Sequence, residues 1–407
     1  MTTVNPTSAI PSPAGAPPTG AGRFPWGALS VLFFAHFVVD SLVSMLSPLL
    51  PLLREKLQIS LSQAGVLVSL LSLCNALSQP LTAVIVDRWP RLPWLLVGLA
   101  GSAFSMTAIG WLPTYGLVAA ALVLGGTMSG LCHPDMASRA SHLTEHRRGL
   151  AVSIFLTGGR LGFSLGPLVA IAVAQALGME WLWLYAVAAL AAALAVHWWL
   201  PELSPAAHAG ESSASSLRSL GASLGEAGPS LVILIGLTMC RAIVNINLMG
   251  FLPTLYVERG MGLWSGGVAN VILLSFGGLG VILGGVLADR YGKRNVIVAA
   301  QALAFLSLVA FLASPPVLGM AVLGAVGLTM YLIMGVGIAY AQEMLPRNRG
   351  FASALLLGVA WGLASLSVWP VSRLAEQVGL HNAFWVLPGF LILSFGMALC
   401  LPKQLKH

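Results

Sequence analysis

The stretch WSGGVANVILLSFGGLGVILGGVLAD, residues 264–289, carries no charged side chain before its last residue, Asp289. A helix rises about 1.5 Å per residue, so a stretch of this length can cross the roughly 30 Å of hydrocarbon in a bilayer. The whole chain has the same character, because 57% of its 407 residues are hydrophobic and only 8% are charged. Soluble domains carry about 25% charged residues. The sequence therefore predicts a membrane protein.

Apolar stretches of spanning length recur along the chain. The first six are Trp26–Leu53, Gln63–Asp87, Pro93–Leu112, Tyr115–Arg139, Leu150–Leu177 and Trp181–Leu200. The second six are Ser230–Tyr256, Trp264–Asp289, Asn295–Ala313, Pro316–Gln342, Gly350–Pro370 and His381–Leu401. They lack the period-2 alternation of a membrane β-barrel. We expect an all-α membrane protein with twelve transmembrane helices.

The composition divides the chain into two bundles of six helices. Residues 25–200 and 230–402 are the predicted N-terminal and C-terminal bundles, and the polar interval 201–229 is the predicted cytoplasmic linker. Residues 1–24, rich in Pro, Ala and Gly, are expected to form a flexible tail, and residues 403–407 a short C-terminal one.

The two bundles are related by an internal repeat. Pro51 aligns with Pro253 at an offset of 202 residues, and Gly149 aligns with Gly350 at an offset of 201. Duplicated six-helix bundles are expected to be pseudo-symmetric and to hold a substrate at their interface, near the bilayer midplane.

The basic residues predict the orientation. Fourteen Lys and Arg side chains flank one side of the predicted spans and four flank the other, which places both termini in the cytoplasm. We expect a multi-pass protein of a bacterial inner membrane. The net charge of +7 is then a topology signal with some attraction to membrane lipids, and no basic soluble face indicates nucleic-acid binding. A monomer is expected.

Several chemical classes are disfavoured. The four cysteines, Cys74, Cys132, Cys240 and Cys400, lie in predicted helices without C-x-x-C spacing, so no metal site is expected. The motifs of zinc proteases, P-loop enzymes and serine hydrolases are absent from the sequence, and we expect no enzymatic activity.

The segment GVLADRYGKR, residues 285–294, resembles the loop signature of the major facilitator superfamily, G-x-L-x-D-R-x-G-R/K-R/K, at every defined position. The first-half copy, AVIVDRWPRL, is degraded. The resemblance implies a secondary transporter that works by alternating access. Gly285 is expected to allow close helix approach, and the acidic and basic groups to close one side of the transporter. The predicted gating residues are Asp87, Arg88, Gly285, Asp289, Arg290, Gly292, Lys293 and Arg294.

A narrower resemblance covers residues 132–168, which are similar to the fosmidomycin-resistance branch of this superfamily. The matching residues are His133, Pro134, Asp135, Ser138 and Arg139, followed by Gly158, Gly159, Gly162, Leu165, Gly166 and Pro167. Gly158, Gly162 and Gly166 recur every four residues and predict a face on which another helix backbone packs closely. Arg160 replaces the small polar residue that usually follows the paired glycines.

Asp40 and His36 are the predicted proton-coupling residues. They are four residues apart and share one face of the first helix. A carboxylate in a partly dry cavity can bind and release a proton near neutral pH, and ionisable groups inside a membrane are functional by default. No cofactor is expected, because the proton gradient would supply the energy.

Arg160 and Arg241 are the predicted anchors for an anionic or zwitterionic substrate, since a guanidinium fork binds carboxylates and phosphates bidentately. For Asp135, structure and function stay open, because it could instead pair with Arg139 or Arg160. His133 could be a hydrogen-bonded interior histidine or part of the site. The remaining lining candidates are Asn245, Asn247, Tyr331, Tyr340 and Trp361.

These observations predict proton-coupled efflux of a small anionic or amphiphilic compound, such as a drug, a phosphonate-like compound or a metabolite. Two alternatives stay open: proton-coupled uptake of an anionic metabolite by symport, and a non-transporting receptor that has a transporter fold.

Overall fold

The computed structural model describes residues 24–88, 93–144, 147–200, 217–345 and 349–402. The C-terminal tail, all but one residue of the predicted N-terminal tail, and the first part of the predicted linker lie outside the described residues. The described part of the chain is helical and contains no strand. The expectation of an all-α protein is confirmed.

Within the described residues, twelve helical segments, named α1 to α12, follow one another, and the seventh is kinked at Gly228, whose φ is +56°. The first six are α1 Trp26–Leu57, α2 Leu61–Arg88, α3 Trp94–Ala108, α4 Tyr115–His142, α5 Arg148–Ala176 and α6 Met179–Trp199. The second six are α7 Leu217–Glu258, α8 Leu263–Tyr291, α9 Lys293–Ala313, α10 Pro316–Met344, α11 Phe351–Val378 and α12 Leu380–Leu399. Within the described residues, eleven have the length and composition of a membrane span, and α3 is an apolar helix of 15 residues.

Prolines explain two interruptions in these helices. The helix of α1 breaks at Met45, between Trp26–Ser44 and Leu46–Leu57. In α11 the helix breaks after Ser365 and resumes at Val368. Pro48 and Pro370 follow the two breaks, and a proline ring clashes with the carbonyl four residues before it, which disfavours an unbroken helix.

The glycine face of α5 packs against α1 as the spacing predicts. A methyl group built on Gly158 or Gly162 would lie 3.1 or 2.8 Å from the backbone carbonyl carbon of Phe33 or Phe37, one turn apart on α1. Real side-chain carbons keep about 3.5–4.0 Å from such atoms. The two helices can therefore approach this closely only because both positions are glycine.

The packing of the first half is repeated in the second. The contact between α2 and α4 recurs between α8 and α10, and the contact between α1 and α5 recurs between α7 and α11. Three pairs of helices, α2 with α11, α5 with α8 and α1 with α7, join the halves. The cavity described below lies between them.

The two halves are held together at the end of the bundle where α1 ends and α2 begins. We call this the far end, because the first and last described residues lie at the opposite end. There Glu376 of α11 accepts hydrogen bonds from the backbone N–H and the hydroxyl of Ser62, both at 2.8 Å. Arg54 and Glu258 form an ion pair at 3.7 Å. All the hydrogen bonds between described residues of the two halves lie at the far end or at mid-depth. We infer from these contacts that the gap between the halves opens toward the other end.

Candidate functional site

Three titratable side chains meet at mid-depth in the first half. Asp40 of α1 lies between two histidines, with Oδ2 at 3.3 Å from Nε2 of His36 and Oδ1 at 3.0 Å from Nε2 of His133. The imidazole rings are edge to face with centroids 5.2 Å apart. The site thus joins the predicted pair on α1 to His133 of α4, a residue that the sequence assigned to the substrate.

Backbone carbonyls and a glycine fix the positions of these side chains. Nδ1 of His36 contacts the carbonyl of Phe155 at 2.9 Å, and its ring stacks on the Phe155 ring at 4.2 Å. Nδ1 of His133 contacts the carbonyl of Ser129 at 2.6 Å. A methyl group on Gly159 would lie 2.5 Å from Oδ2 of Asp40. Gly159 therefore leaves the room in which the cluster fits, whereas its neighbour Gly158 serves helix packing.

These contacts determine where protons can lie. A carbonyl oxygen only accepts hydrogen bonds, so Nδ1 of both histidines carries hydrogen. In a neutral imidazole, Nε2 then carries a lone pair and can only accept a hydrogen bond. It faces a carboxylate oxygen, which can likewise only accept one. Each contact with Asp40 needs one proton to become a hydrogen bond. The cluster can hold none, one or two such protons, and its net charge then changes from −1 through 0 to +1.

The same cluster is where a metal ion would find ligands among the described residues. His36, Asp40 and His133 each offer a ligand atom, and these atoms lie within 4.8 Å of one another. The 3.0 Å distance between Asp40 and His133 is that of a direct hydrogen bond, however, and His36 makes an ion-pair contact with Asp40 at 3.3 Å. The geometry is that of a hydrogen-bonded cluster, and the expectation of no metal site stays a prediction.

Asp40 also lines a mid-depth cavity, which has a volume of about 370 Å³ and lies between the halves. Its walls are largely apolar, with Phe163 from α5 and Trp361 from α11 as the aromatic side chains. Neutral polar groups also line it: Ser44, Ser47, Ser72, Asn75, Gln79 and Asn270. Among its described lining residues, Asp40 alone is charged.

The two predicted arginine anchors lie outside this lining set and in different surroundings. Arg160 is exposed on α5 and makes no hydrogen bond or ion pair with a described residue. Arg241 is 2% exposed, and its Nη1 donates to the carbonyl of Met330 at 3.0 Å. Both guanidinium groups are within electrostatic range of Tyr331 in α10. Arg160 therefore faces the gap between the halves, while Arg241 is enclosed in the second half.

The other predicted substrate residues are dispersed. Tyr331 donates to Asn245 at 3.3 Å, beside Arg241. Asn247 is fully buried and donates to Ser367 at 3.0 Å. Tyr340 donates to the carbonyl of Pro402 at 2.7 Å, at the end that carries the termini. Asn247 and Tyr340 lie outside the lining of this cavity and complete contacts between helices, and their role in substrate binding stays a prediction.

Asp135 lies apart from the Asp40 cluster. It pairs with Arg139 one turn along α4, with 3.1 Å between Oδ1 and Nε. Of the two pairings that the sequence left open, the structure thus has the one with Arg139. Asp135 is 8% exposed and is absent from the cavity lining, so these contacts describe a structural ion pair.

The predicted gating residues join helices of the second half. Lys293 pairs with Glu343 of α10 at 2.6 Å, and Arg294 donates to the carbonyls of Leu401 and Leu399 at 2.6 and 2.7 Å, at the end of α12. Asp289 and Arg290 are exposed. The side chains of Asp87 and Arg88 lie outside the described ones.

The glycines of this motif act differently from one another. Gly292 has φ +85°, a conformation that favours glycine, and it forms the turn between α8 and α9. The expected role of Gly285 in close helix approach is wrong, because a methyl group there would meet nothing within 4 Å. Its neighbour Gly284 is the contact point, where a methyl group would lie 2.7 Å from the carbonyl carbon of Leu332.

The sequence analysis missed the neutral polar residues of the cavity. Asn75 donates to Ser129 at 3.0 Å and receives a hydrogen bond from Gln79 at 3.2 Å, while Asn270 donates to the carbonyl of Met249 at 3.3 Å. Amide side chains in the middle of apolar spans were the available signal. The predicted site residues were instead ionisable groups, aromatic residues and the two asparagines near Arg241.

Comparison with known proteins agrees with this fold. The model of the Major Facilitator Superfamily matches residues 32–368 and, in a second match, residues 234–406. The chain is 26% identical over 387 residues to the uncharacterized MFS-type transporter YfnC of Bacillus subtilis, covering 93% of each chain. It is 25% identical over 408 residues to the fosmidomycin resistance protein of Escherichia coli, covering 97% of each. The multi-drug resistance efflux pump PmrA of Streptococcus pneumoniae is also 25% identical, with 88% of this chain and 91% of PmrA covered.

Solved transporter structures share the architecture. A mutant of the nucleoside transporter NupG superposes with a TM-score of 0.78 at 15% identity, covering 92% of this chain and all of that one. A bacterial homolog of the human lysosomal transporter Spinster, in an inward-facing and unoccupied conformation, has a TM-score of 0.77 at 16% identity. It covers 94% of this chain and 98% of that one. At these identities the likeness establishes the fold.

Proposed function

Because the chain belongs to the Major Facilitator Superfamily, and is therefore a multi-pass membrane transporter of small molecules, we propose that it is a proton-coupled exporter. It works by alternating access, with the proton gradient as its energy source and without a cofactor. We place it in a bacterial inner membrane, as a monomer with both termini in the cytoplasm. The gap between the halves then opens to the cytoplasm, the side from which an exporter takes its substrate.

One observation carries the proton coupling. Asp40 lines the cavity, and its two oxygens face Nε2 atoms of histidines whose Nδ1 hydrogens are directed to backbone carbonyls. The cluster therefore changes charge within the substrate cavity. Groups with this arrangement are suited to proton relay inside a membrane. Coupling involves His133 as well as the two residues on α1.

Export follows if substrate and proton compete for Asp40. A hydrogen-bond donor on the substrate can occupy the carboxylate only when the protons have left, so the two bind alternately. The apolar walls and amide groups suit an amphiphilic compound, and a negative group on it can reach the exposed Arg160 in the gap. The resistance and efflux functions named for two relatives support export.

Symport is the second candidate function, and the charge of the cluster favours it in one case. With two protons bound the cluster is positive, so an anion that sits close to it binds better when protonated. Proton and anion would then move together. A D-xylose–proton symporter is among the solved structures with this fold, at a TM-score of 0.74.

Reconstituted protein distinguishes these functions. A thermal-shift screen of fosmidomycin, other phosphonates, carboxylates and amphiphilic drugs selects the most stabilising compound, since a ligand stabilises the state it binds. Its flux is then measured in proteoliposomes together with the pH inside. In antiport, protons and the compound cross the membrane in opposite directions. In symport, they cross in the same direction. Movement of the compound without protons contradicts coupling, and no movement of any compound contradicts transport and indicates a receptor.

A further inference from the structure

Arg241, which is 2% exposed, lines a small pocket next to the cavity between the halves. The pocket has a volume of about 10 Å³, roughly the space for one water molecule. Nε of Arg241 makes no hydrogen bond, and no described carboxylate pairs with the guanidinium. A buried charge without a counter-charge is unfavourable. If Arg241 only held helices of the second half together, the free energy cost of burying its charge would have no compensation.

A thin wall separates this pocket from the cavity. Met334, Leu357 and Trp361 line both spaces. The guanidinium carbon of Arg241 lies 5.9 Å from the centroid of the Trp361 ring, so the indole covers it on the cavity side. Displacement of the Trp361 ring would remove part of this wall.

The backbone before Trp361 is irregular. Residues Leu355–Val359 form a single π-helical turn, and a second break follows after Ser365. Short π-helical turns are frequent at functional sites and mark places where helical hydrogen bonds are easily rearranged. The segment that carries Trp361 is therefore the part of α11 best able to shift.

The unused hydrogen-bonding atoms on this side are donors. Besides Nε of Arg241, Nε1 of Trp361 and Nδ2 of Asn245 are buried and make no hydrogen bond within the described part of the chain. Asn245 follows Arg241 by one turn of α7, and its acceptor oxygen is already occupied by Tyr331. A group that only accepts hydrogen bonds and carries negative charge satisfies this set, whereas a hydroxyl or an ammonium group does not.

We propose that Arg241 forms a closed oxyanion subsite, which opens to the cavity when the Trp361 ring moves and binds the carboxylate or phosphonate group of the substrate. The inference rests on the proposed function and specifies its substrate class. Arg160 then holds the anion in the open gap, where water screens it, and Arg241 holds it in a dry pocket where its charge is neutralised. The guanidinium gains a counter-charge only when substrate is bound.

The test uses the purified full chain with two small probes, methylphosphonate and its uncharged dimethyl ester, which is larger by two methyl groups, at constant ionic strength set with chloride. Calorimetric titration and melting temperature are measured in parallel. Methylphosphonate is expected to bind and the ester is not. Arg241→Gln is expected to lower methylphosphonate affinity at least tenfold, with an unchanged or higher melting temperature because an uncompensated buried charge is removed. Arg147→Gln, at an exposed arginine, is the matched control and retains wild-type affinity.

Two further variants keep the test decisive. Trp361→Phe keeps an aromatic ring in the wall and removes only the Nε1 donor, so it is expected to weaken methylphosphonate binding. Arg241→Lys keeps the charge and much of the volume but loses Nε and the planar fork, so its affinity is expected to fall even if Arg241→Gln folds poorly. Equal affinity in wild type and both Arg241 variants overturns the subsite, as does equal binding of ester and anion, or a loss confined to Arg160→Gln.

The outcomes also separate this inference from the proposed function. Proton-driven flux that depends on Asp40, with methylphosphonate affinity independent of Arg241, rejects the subsite alone. Absence of any flux in wild-type protein, with methylphosphonate bound at Arg241, rejects transport and retains the subsite.

Discussion

Replacing Gly159 with alanine is expected to alter proton binding without unfolding the protein. The added methyl would lie 2.5 Å from Oδ2 of Asp40 and closer still to Cε1 and Nε2 of His36, so both side chains must move by about 1 Å to restore ordinary contact. The His36 ring is held by the carbonyl of Phe155 and by stacking on the Phe155 ring, which limits how it can move. The 3.3 Å contact between His36 and Asp40 is therefore expected to be lost.

The size and sign of the effect follow from that lost contact. A hydrogen bond to a charged group contributes about 1.5–3 kcal/mol, and about 1.4 kcal/mol corresponds to one pH unit. The contact exists only when a proton lies in it, so it stabilises the protonated cluster. Losing it makes protonation require more acid. The midpoint of proton binding is expected to move about 1–2 pH units lower.

Infrared difference spectroscopy across pH measures this midpoint without a substrate, because the bands of Asp40 are those missing in Asp40→Asn. Two glycines serve as controls. Gly278→Ala meets no atom within 4 Å and is expected to leave both midpoint and melting temperature near wild type. Gly162→Ala presses on the backbone of Phe37 and is expected to cost about 1–3 kcal/mol of stability. An unchanged midpoint in folded Gly159→Ala would refute the geometry of the cluster.

Three other predictions concern the far end, the topology and the gap. Glu376→Gln is expected to weaken the two hydrogen bonds to Ser62 by about 1–2 kcal/mol. Labelling of a cysteine placed in the cavity should then rise about 5–30-fold from the outside. No rise would argue that these bonds do not hold the far end closed. In a variant without native cysteines, Lys293→Cys should react with a membrane-impermeant thiol reagent only from the cytoplasmic side, and reaction from outside alone reverses the topology. Arg160→Lys should weaken binding of the screened anionic compound, measured by calorimetry, because the planar fork is lost, whereas unchanged affinity removes Arg160 from the substrate site.

Local pattern in the sequence was enough for the helices. Length and apolarity located the twelve segments, and the four-residue glycine spacing identified the face of α5 that packs on α1. The predicted span for α3 is too long, because residues 109–112 are apolar but form a turn after the helix ends. Hydropathy alone cannot distinguish a turn at the membrane surface from one more turn of helix.

The site was predictable only within single helices. The spacing of His36 and Asp40 placed them on one face, but the approach of His133 depends on how α4 packs against α1, which no local spacing encodes. Tyr340 illustrates the reverse case, since its position in an apolar span gives no sign that its hydroxyl reaches Pro402. Arg160 and Arg241 have the same charge, and only packing decides that one is exposed and the other enclosed.

Asp40→Asn in proteoliposomes tests the central claim most directly, because the amide keeps the shape of the carboxyl group and cannot titrate. Two fluxes of the compound selected by thermal shift are compared, one driven by a pH gradient and one by exchange against the same compound at equal pH. Glu55→Gln, which neutralises an exposed carboxylate farther along α1, is the matched control. We expect Asp40→Asn to lose the pH-driven flux and to retain exchange, while Glu55→Gln keeps both. An undiminished pH-driven flux in Asp40→Asn would contradict the assignment of proton coupling to this cluster.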